Sequence, residues 1–265
     1  MASAFLASEP SMAPLALSSS SSQVRAQADK ILVQHGRPTA SILPKCFTVC
    51  IWNWQKSKQK PWGEEFKKAA AAADLFLAQE VCSFPQVLEI MEQTPYHWSG
   101  AVSFLSRHNS PTGVATGCVA KPLKISFKAG EREPFLRVPK MMLATLIPLD
   151  GERTLLVINI HAINFRGLKS FDTNLKRAAE LLLNYSGPVL LGGDFNAWSL
   201  KRRRLLHQMA RAAGLTEVPF EPDTRTRCLG RPVDYLFVRG LRVKAAGVRV
   251  TRGSDHNMLF ARLEA

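Results

Sequence analysis

The residues best suited to chemistry stand together in Gly192-Gly193-Asp194-Phe195-Asn196, directly after the apolar run Val189-Leu190-Leu191. The run reads as a buried strand, and the glycines as the point where it turns or lets a ligand approach the backbone. Asp194 and Asn196 are one residue apart, so in extended chain both side chains project to the same side. A carboxylate placed there binds a metal or takes a proton from water, and a carboxamide holds that water or a phosphate oxygen in place. Gly-Asp and Asn are also ordinary turn chemistry, so the stretch alone is equally well a solvent-exposed turn.

The pattern recurs along the chain. Apolar runs end in Asn53, in Glu80, in His161, and beside Asp234 and the pair Asp255-His256. Each has a plain reading as a turn cap, an exposed acid or a satisfied structural histidine. In layered α/β folds, however, strand ends are where sites assemble, and recurrence at one strand end after another points to a single site. The set suits phosphate chemistry. Hard oxygen ligands such as Glu80 and Asp255 fit Mg²⁺ or Mn²⁺, and the lack of a cysteine among them disfavours zinc. Asp194 is the candidate to activate water. His256 would stabilise a phosphorane-like transition state or protonate the leaving oxygen, with Asp234 holding it and raising its pKa.

Several elements are needed to bring these residues together. Strands are expected at 46–52, 75–78, 154–160, 189–191, 233–238, 243–251 and 258–263, and one within 137–149, with β-hairpins across 95–127. Helices are expected at 64–74, 84–92, 170–185 and 199–213, the last strongly basic. A polar, basic stretch covers 55–60 and an Arg-rich loop 225–231. Residues 1–44 are rich in Ser, Ala and Pro. They are expected to be disordered apart from a short helix around 23–34, with one domain filling 45–265. Strands that alternate with helices in places and cluster in others imply a mixed sheet or two packed sheets covered by helices.

The chain has 265 residues and is 46% hydrophobic, enough to bury a sizeable core. Lys and Arg number 35 against 21 Asp and Glu, a formal charge of +14 that favours a polyanionic partner: nucleic acid, an anionic membrane surface or a phosphorylated small molecule. The five cysteines form no C-x-x-C pair, which argues against a zinc knuckle or disulfide framework and for a reducing, cytoplasmic setting. No apolar run is long enough to span a membrane. The N-terminus has no basic region ahead of its apolar residues and is interrupted by Glu9, Pro10 and Pro14, so no cleaved signal is expected.

In their order, Trp52-Asn53, Gln79-Glu80, Asn159-Ile160-His161, GDFNAW from Gly193, VDYLFV from Val233 and SDH from Ser254 resemble the endonuclease/exonuclease/phosphatase superfamily, over about residues 45–265. This superfamily includes DNase I, abasic-site endonucleases, neutral sphingomyelinases and inositol polyphosphate 5-phosphatases. REPFLR (132–137), VINIHAINF (157–165) and GRPVDYLFVRG (230–240) resemble in particular the YafD type of bacterial protein. The resemblance implies an α/β fold of four layers, two mixed β-sheets face to face with helices outside (DNase I-like). It implies a metal held by Glu80 with Asn53 and Asp255 nearby, a nucleophilic water and scissile phosphate handled by Asp194 and Asn196, and an Asp234–His256 pair. Asn164 matches a phosphate-contacting asparagine of the abasic endonucleases. Those enzymes carry tyrosine where this chain has His161, which speaks against abasic-site specificity and implies a second histidine near the phosphate, able to donate a hydrogen bond or proton.

The expected function is a Mg²⁺- or Mn²⁺-dependent phosphodiester hydrolase, an endo- or exonuclease acting on nucleic acid or another phosphate-rich anion, and a monomer. Lys201 to Arg204 and the arginines 225, 227 and 231 are placed to track a phosphate backbone, and Trp198 to stack on a base. The alternative is a phosphatase or sphingomyelinase-like phosphodiesterase acting on a small phosphoester or lipid headgroup. An apolar docking hairpin at Phe104-Leu105 or Phe127 would mark it. A binding module without catalysis on the same fold is the third reading.

Overall fold

The computed structural model describes residues 31–106, 109–134 and 138–265. Its apolar runs become strands of two mixed sheets. The first runs in the order β1 (Leu32–Gly36), β4 (His97–Leu105), β5 (Pro111–Cys118), β3 (Leu75–Cys82), β2 (Cys46–Asn53), β15 (Met258–Glu264), β14 (Arg242–Arg249). The second runs β10 (Thr216–Glu217), β13 (Asp234–Arg239), β9 (Val189–Asp194), β8 (Thr154–His161), β7 (Pro139–Pro148), β6 (Lys124–Arg132). A small hairpin, β11 (Arg227–Cys228) and β12 (Arg231–Pro232), stands apart.

The helices are α1 (Trp62–Ala71), α2 (Pro85–Glu92), α3 (Leu168–Glu180) and α4 (Leu200–Ala212). Their ends follow from the sequence. Glu64 and Glu65 sit in the first turn of α1, where the helix dipole favours acids. Ser199 caps α4 by accepting from the Arg202 backbone N–H.

The two sheets pack face to face with helices outside, as four layers. Alternation within β8 shows how. Leu155 and Val157 join Val49, Ile51, Leu75 and Leu77 of the facing sheet. Leu156, Ile158 and Ile160 join Phe171 and Leu175 of α3 and Leu206 of α4. Both faces are covered, so the strand is apolar nearly throughout. On the other side, Trp62 and Phe66 of α1 and Met91 of α2 pack with Phe76 and Trp98 of the first sheet.

Two βαβ units set up the site. In β2–α1–β3 the strands are parallel and Asn53 pairs with Gln79, next to Glu80. In β8–α3–β9 the strands are parallel and His161 pairs with Asp194. Antiparallel β13 then sets Asp234 opposite Asp194. Polar positions of five strands, β2, β3, β8, β9 and β13, thus gather at one edge of the sandwich.

Among the described residues, regular structure begins before the expected start at Lys45. β1 pairs antiparallel with β4, Ala40 bridges to Ala120, and Leu43 is buried with its N–H donated to Pro148 O. The strand carries no clear signal because Leu32-Val33-Gln34-His35-Gly36 is a short edge strand of only two apolar residues followed by Gln, His and Gly. Residues 32–34 of the expected helix are strand; 23–30 lie outside the described residues, as do residues 1–22 and, within the 132–137 motif, 135–137. All five cysteines are free, and among the described residues no helix is long and apolar enough to cross a membrane.

Two predictions arise here. Gly193 has φ +141°, and a Cβ on it would lie 2.0 Å from Ile160 O in the neighbouring strand. Gly193→Ala should destabilise the fold by at least about 3 kcal/mol in urea unfolding; an unchanged midpoint would contradict this. The second concerns β1. His35 and His97 are both held below their usual pKa by burial, which outweighs the pull of Glu92 on His35; Lys121 and His35 push His97 further down. The unfolded chain therefore binds more protons than the folded one below about pH 6.5, so stability falls as pH drops through that value. A His35→Asn, His97→Asn double variant should lose less stability than the parent between about pH 7.5 and 5.5.

Candidate active site

A cavity of about 390 Å³ opens at the gathered strand ends, and Asn53, Glu80, His161, Asn164, Asp194, Asn196, Asp255 and His256 all line it. Asp194 is its hub. Asp194 Oδ2 accepts from Asn53 Nδ2 at 3.1 Å and lies 3.5 Å from His161 Nε2; Oδ1 accepts from the Asn196 backbone N–H at 3.0 Å. Burial pushes its pKa up to about 6, helped by the charge of Asp234 and opposed by His256, Lys140 and the Asn196 N–H. A carboxylate tuned upward in this way is a better base near neutral pH.

Asp234 is buried beneath the cavity. Its Oδ2 lies 2.8 Å from His256 Nδ1. Burial alone would lower His256, but the charge and hydrogen bond of Asp234, with Asp194 and Asp255, outweigh it and raise the imidazole to about 10. His256 is therefore an imidazolium through the neutral range, with Nδ1 spent on Asp234 and Nε2 as its other donor. Its loop is pinned to the end of β2: Ser254 Oγ donates to Asn53 O, and Trp52 Nε1 donates to His256 O.

Two site residues are held in backbone conformations that L-residues rarely adopt. Glu80 has φ +50°, at the irregularity in the β3–β5 pairing between Ala78 and Val81, and Asn196 has φ +50°. Each costs about 1–3 kcal/mol and persists where its surroundings over-determine it. Asn196 is held by its N–H to Asp194 and by its Nδ2, which donates to Ala162 O at 3.1 Å.

Several residues of the site carry no strand-end signal. Lys140, at the start of β7, places Nζ 2.7 Å from His161 Nε2. An ammonium only donates, so His161 accepts here. Burial, and then the charge of Lys140, hold His161 well below its usual pKa. At this contact Lys140 donates and His161 Nε2 accepts, which leaves Nδ1 as the N–H of a neutral His161 ring. Glu133 accepts the Asn164 and Phe165 backbone N–H groups and so sets the loop after β8. Gln55 Nε2 donates to Asp255 Oδ2, and Lys56 Nζ lies 3.8 Å from Glu80 Oε2. The basic run 55–60 hinted at Gln55 and Lys56, and the REPFLR motif (132–137) contains Glu133; Lys140 carried no such signal.

Two expected substrate contacts lie elsewhere. Trp198 is outside the cavity lining. Its Nε1 donates to Asn164 Oδ1 at 2.9 Å, and the Arg202 guanidinium covers one ring face at 4.6 Å from its centroid. It positions Asn164, whose remaining offer to the cavity is its amide N–H pair. Arg231 sits on the β11–β12 hairpin with Nη1 donating to Leu229 O. Arg202, expected to face a phosphate backbone, is 2% exposed and donates to the carbonyls of Ile163, Asn164, Arg166 and Asn196. It braces the site from behind. Arg225 is likewise buried, bidentate on Asp223 and bonded to Glu217.

The donor set fits a divalent metal. Glu80 and Asp255 offer carboxylate oxygens in the cavity lining, Asn53 sits there with its Oδ1 accepting from the Gln55 backbone N–H, and no thiol stands beside them, a hard donor set suited to a divalent cation. Ligand atoms of Asp194, Asp234 and His256 also lie within 4.8 Å of one another. The Asp234–His256 hydrogen bond already occupies two of the three, so that trio reads as a carboxylate beside an acid–histidine pair.

Comparison with known proteins places this geometry in a family. The model of the Endonuclease/Exonuclease/phosphatase family matches residues 57–256. A UPF0294 protein of Klebsiella pneumoniae (strain 342) is 40% identical over 213 residues, covering 80% of each chain. An endonuclease/exonuclease/phosphatase family protein from Leptotrichia buccalis superposes with a TM-score of 0.65 at 15% identity, covering 82% of this chain and 99% of that one. A mannosyl-6-phosphatase of Bacteroides thetaiotaomicron superposes at 0.58 and 17% identity, covering 82% and 99%. At such identities the structures speak to the fold alone; the family model and the close sequence relative carry the assignment. The chain belongs to the Endonuclease/Exonuclease/phosphatase family, hydrolases of phosphoester bonds.

Proposed function

We propose that the chain is a divalent-metal-dependent phosphodiesterase that cuts nucleic acid. One observation carries the hydrolytic part. An upshifted carboxylate, Asp194, and an imidazolium locked on by Asp234, His256, line the same cavity. These are a base and an acid whose environments push their pKa values apart, the arrangement that acid–base chemistry needs. Asp194 takes the proton from the attacking water, and Asn196 orients that water or a phosphate oxygen. His256 neutralises charge developing on the phosphorus centre or donates to the leaving oxygen. Asn164 and Lys140 donate to phosphate oxygens. A divalent cation bound by Glu80, Asp255 and Asn53 would supply Lewis-acid stabilisation of the phosphoryl charge.

Nucleic acid is favoured by the formal charge of +14 and by Lys201, Arg203 and Arg204, exposed on α4 a few residues beyond Asn196. Lipid headgroups draw less support. Phe127 packs against the cluster of Ala101, Val114, Met141 and Leu143, and Phe104 lines the cavity, which leaves Leu105, 58% exposed, as the one outward apolar side chain of the three. The free cysteines fit a reducing compartment such as the cytoplasm.

The test is hydrolysis of plasmid, single-stranded DNA and RNA beside inositol phosphates, sphingomyelin and a sugar phosphate. Nucleic acid should be cut fastest; faster turnover of a lipid or small phosphoester would replace this reading. Chelation should abolish turnover and Mg²⁺ or Mn²⁺ restore it; activity that survives chelation contradicts the metal dependence. Asp194→Asn and His256→Gln should each lower kcat by about 10²–10⁴-fold with the unfolding transition retained. Near-normal turnover by either would refute the role given to it.

A further inference from the structure

The basic stretch after Asn53 has a conformation that solvated lysines do not need. Gln55, Lys56 and Ser57 have φ of +47°, +58° and +55°, three consecutive non-glycine residues in the left-handed region. Left-handed residues usually occur singly, so something must hold this turn. Trp54, fully buried, anchors its start among Trp62, Phe66 and Phe76, with its N–H donated to Gln79 O. The Ser57 N–H returns to Trp54 O, the Gln55 N–H goes to Asn53 Oδ1, and the Gln55 side chain bridges Asp255 and Gln59.

The result is to bring Lys56 and Lys58 into the cavity lining, with Lys56 beside Glu80 and Gln55 on Asp255. Lys56 is 3.8 Å from one Glu80 oxygen, His161 is 3.8 Å from the other, and Lys140 lies 2.7 Å beyond His161. Cations therefore flank the acidic centre on both sides. Lys58 makes no ion pair among the described residues. A single phosphoryl group at the centre is served by Lys140, His256 and Asn164, which leaves the lysines of the turn as surplus.

We propose that the left-handed turn at 55–58 is a second phosphate subsite, which takes the phosphate adjacent to the scissile one through Lys56 and Lys58. It makes the site selective for ligands carrying two phosphates in series over phosphate monoesters. The inference rests on the phosphodiesterase reading only for the identity of the first subsite.

The test is calorimetric binding of thymidine 3′,5′-bisphosphate and thymidine 5′-monophosphate to full-length Asp194→Asn protein, where turnover does not interfere. The bisphosphate should bind at least about tenfold tighter, the increment of charge-assisted hydrogen bonds. Adding Lys56→Met and Lys58→Met should collapse that ratio, whereas Lys201→Met with Arg203→Met on α4 should preserve it. Ser57→Val, with a β-branched side chain poorly suited to positive φ, should collapse the ratio with both lysines intact, and Ser57→Gly should keep it. Thermal melting identifies any variant that has not folded, and Ser57→Gly then decides alone: loss of the ratio in a folded Ser57→Gly protein overturns the role of the turn. Equal affinity for the two nucleotides, or a ratio lost only in the α4 variant, overturns the subsite. Nucleic-acid cleavage without a bisphosphate preference removes the subsite and leaves the proposed activity. A lysine-dependent preference in a protein that cuts no nucleic acid supports the subsite and removes that activity.

Discussion

The site depends on a pair of amides buried between the sheets. Gln79 of the first sheet donates through Nε2 to Asn159 Oδ1 of the second at 2.8 Å, and Asn159 Nδ2 donates back to Ala78 O and Ala115 O. Neither residue is exposed to solvent. Two sheets joined only by apolar packing have many near-equal relative placements, because hydrophobic contact is not directional. A buried amide that loses its partner pays the full desolvation penalty, about 1–3 kcal/mol, so this pair selects one placement. Gln79 precedes Glu80, and Asn159 lies two residues before His161 on the same strand. The bond therefore sets the distance between the wall that offers oxygen ligands and the wall that holds Asp194. Asn53 Nδ2 to Asp194 Oδ2 repeats the device at the cavity itself.

Close approach of the backbones completes the constraint. Gly192 faces Ile51 of the opposite sheet, where an added Cβ would lie 2.5 Å from Cδ1, and Gly193 leaves no room beside Ile160 O. The two glycines let β9 run hard against both neighbours and then release Asp194 and Asn196 at its end. Among the described residues, five of the eight non-glycine residues with positive φ are Glu80, Asn196 and the turn at 55–57, at or beside the cavity; the others are Asn109, Asn184 and Leu229. A local conformation of this kind is held by tertiary contacts and has no propensity signal of its own.

That division decides what could be read from the chain. The strands and helices were legible because each shows its own periodicity, and the polar strand ends because each interrupts an apolar run. The four-layer stack followed from the motifs. What stayed hidden depends on partners far apart in sequence. No motif or strand-end pattern singles out Lys140; only β7 lying beside β8 puts it on His161. Arg202 looked like part of a phosphate-tracking run, yet it is the one member of Lys201 to Arg204 that turns inward, because the helix repeat puts it on the face of α4 toward Phe171. Trp198 was read as a free aromatic platform, and the same guanidinium claims its face. β1 was missed because its stability comes from pairing with β4 and not from its composition.

The basic charge of the chain also changes meaning once it is placed. Arg202 and Arg225 are spent inside, on carbonyls and carboxylates, and Arg239 donates to the backbone of Ala213 and Tyr185. A count of Lys and Arg therefore overstates the field that a polyanion meets. The lysines at the cavity weigh more per charge. Lys140 is half-buried and held below its usual pKa by that burial, against the pull of Glu80, Asp194 and Glu133. A buried charge interacts with its neighbours at a lower effective dielectric and is screened less by salt than the exposed face of α4. Recognition near the scissile bond should then resist salt, and attraction over the outer surface should not. The contact that selects the substrate is thus to be sought at the cavity walls, where charge is held in place, and not over the surface, where it is exposed and screened.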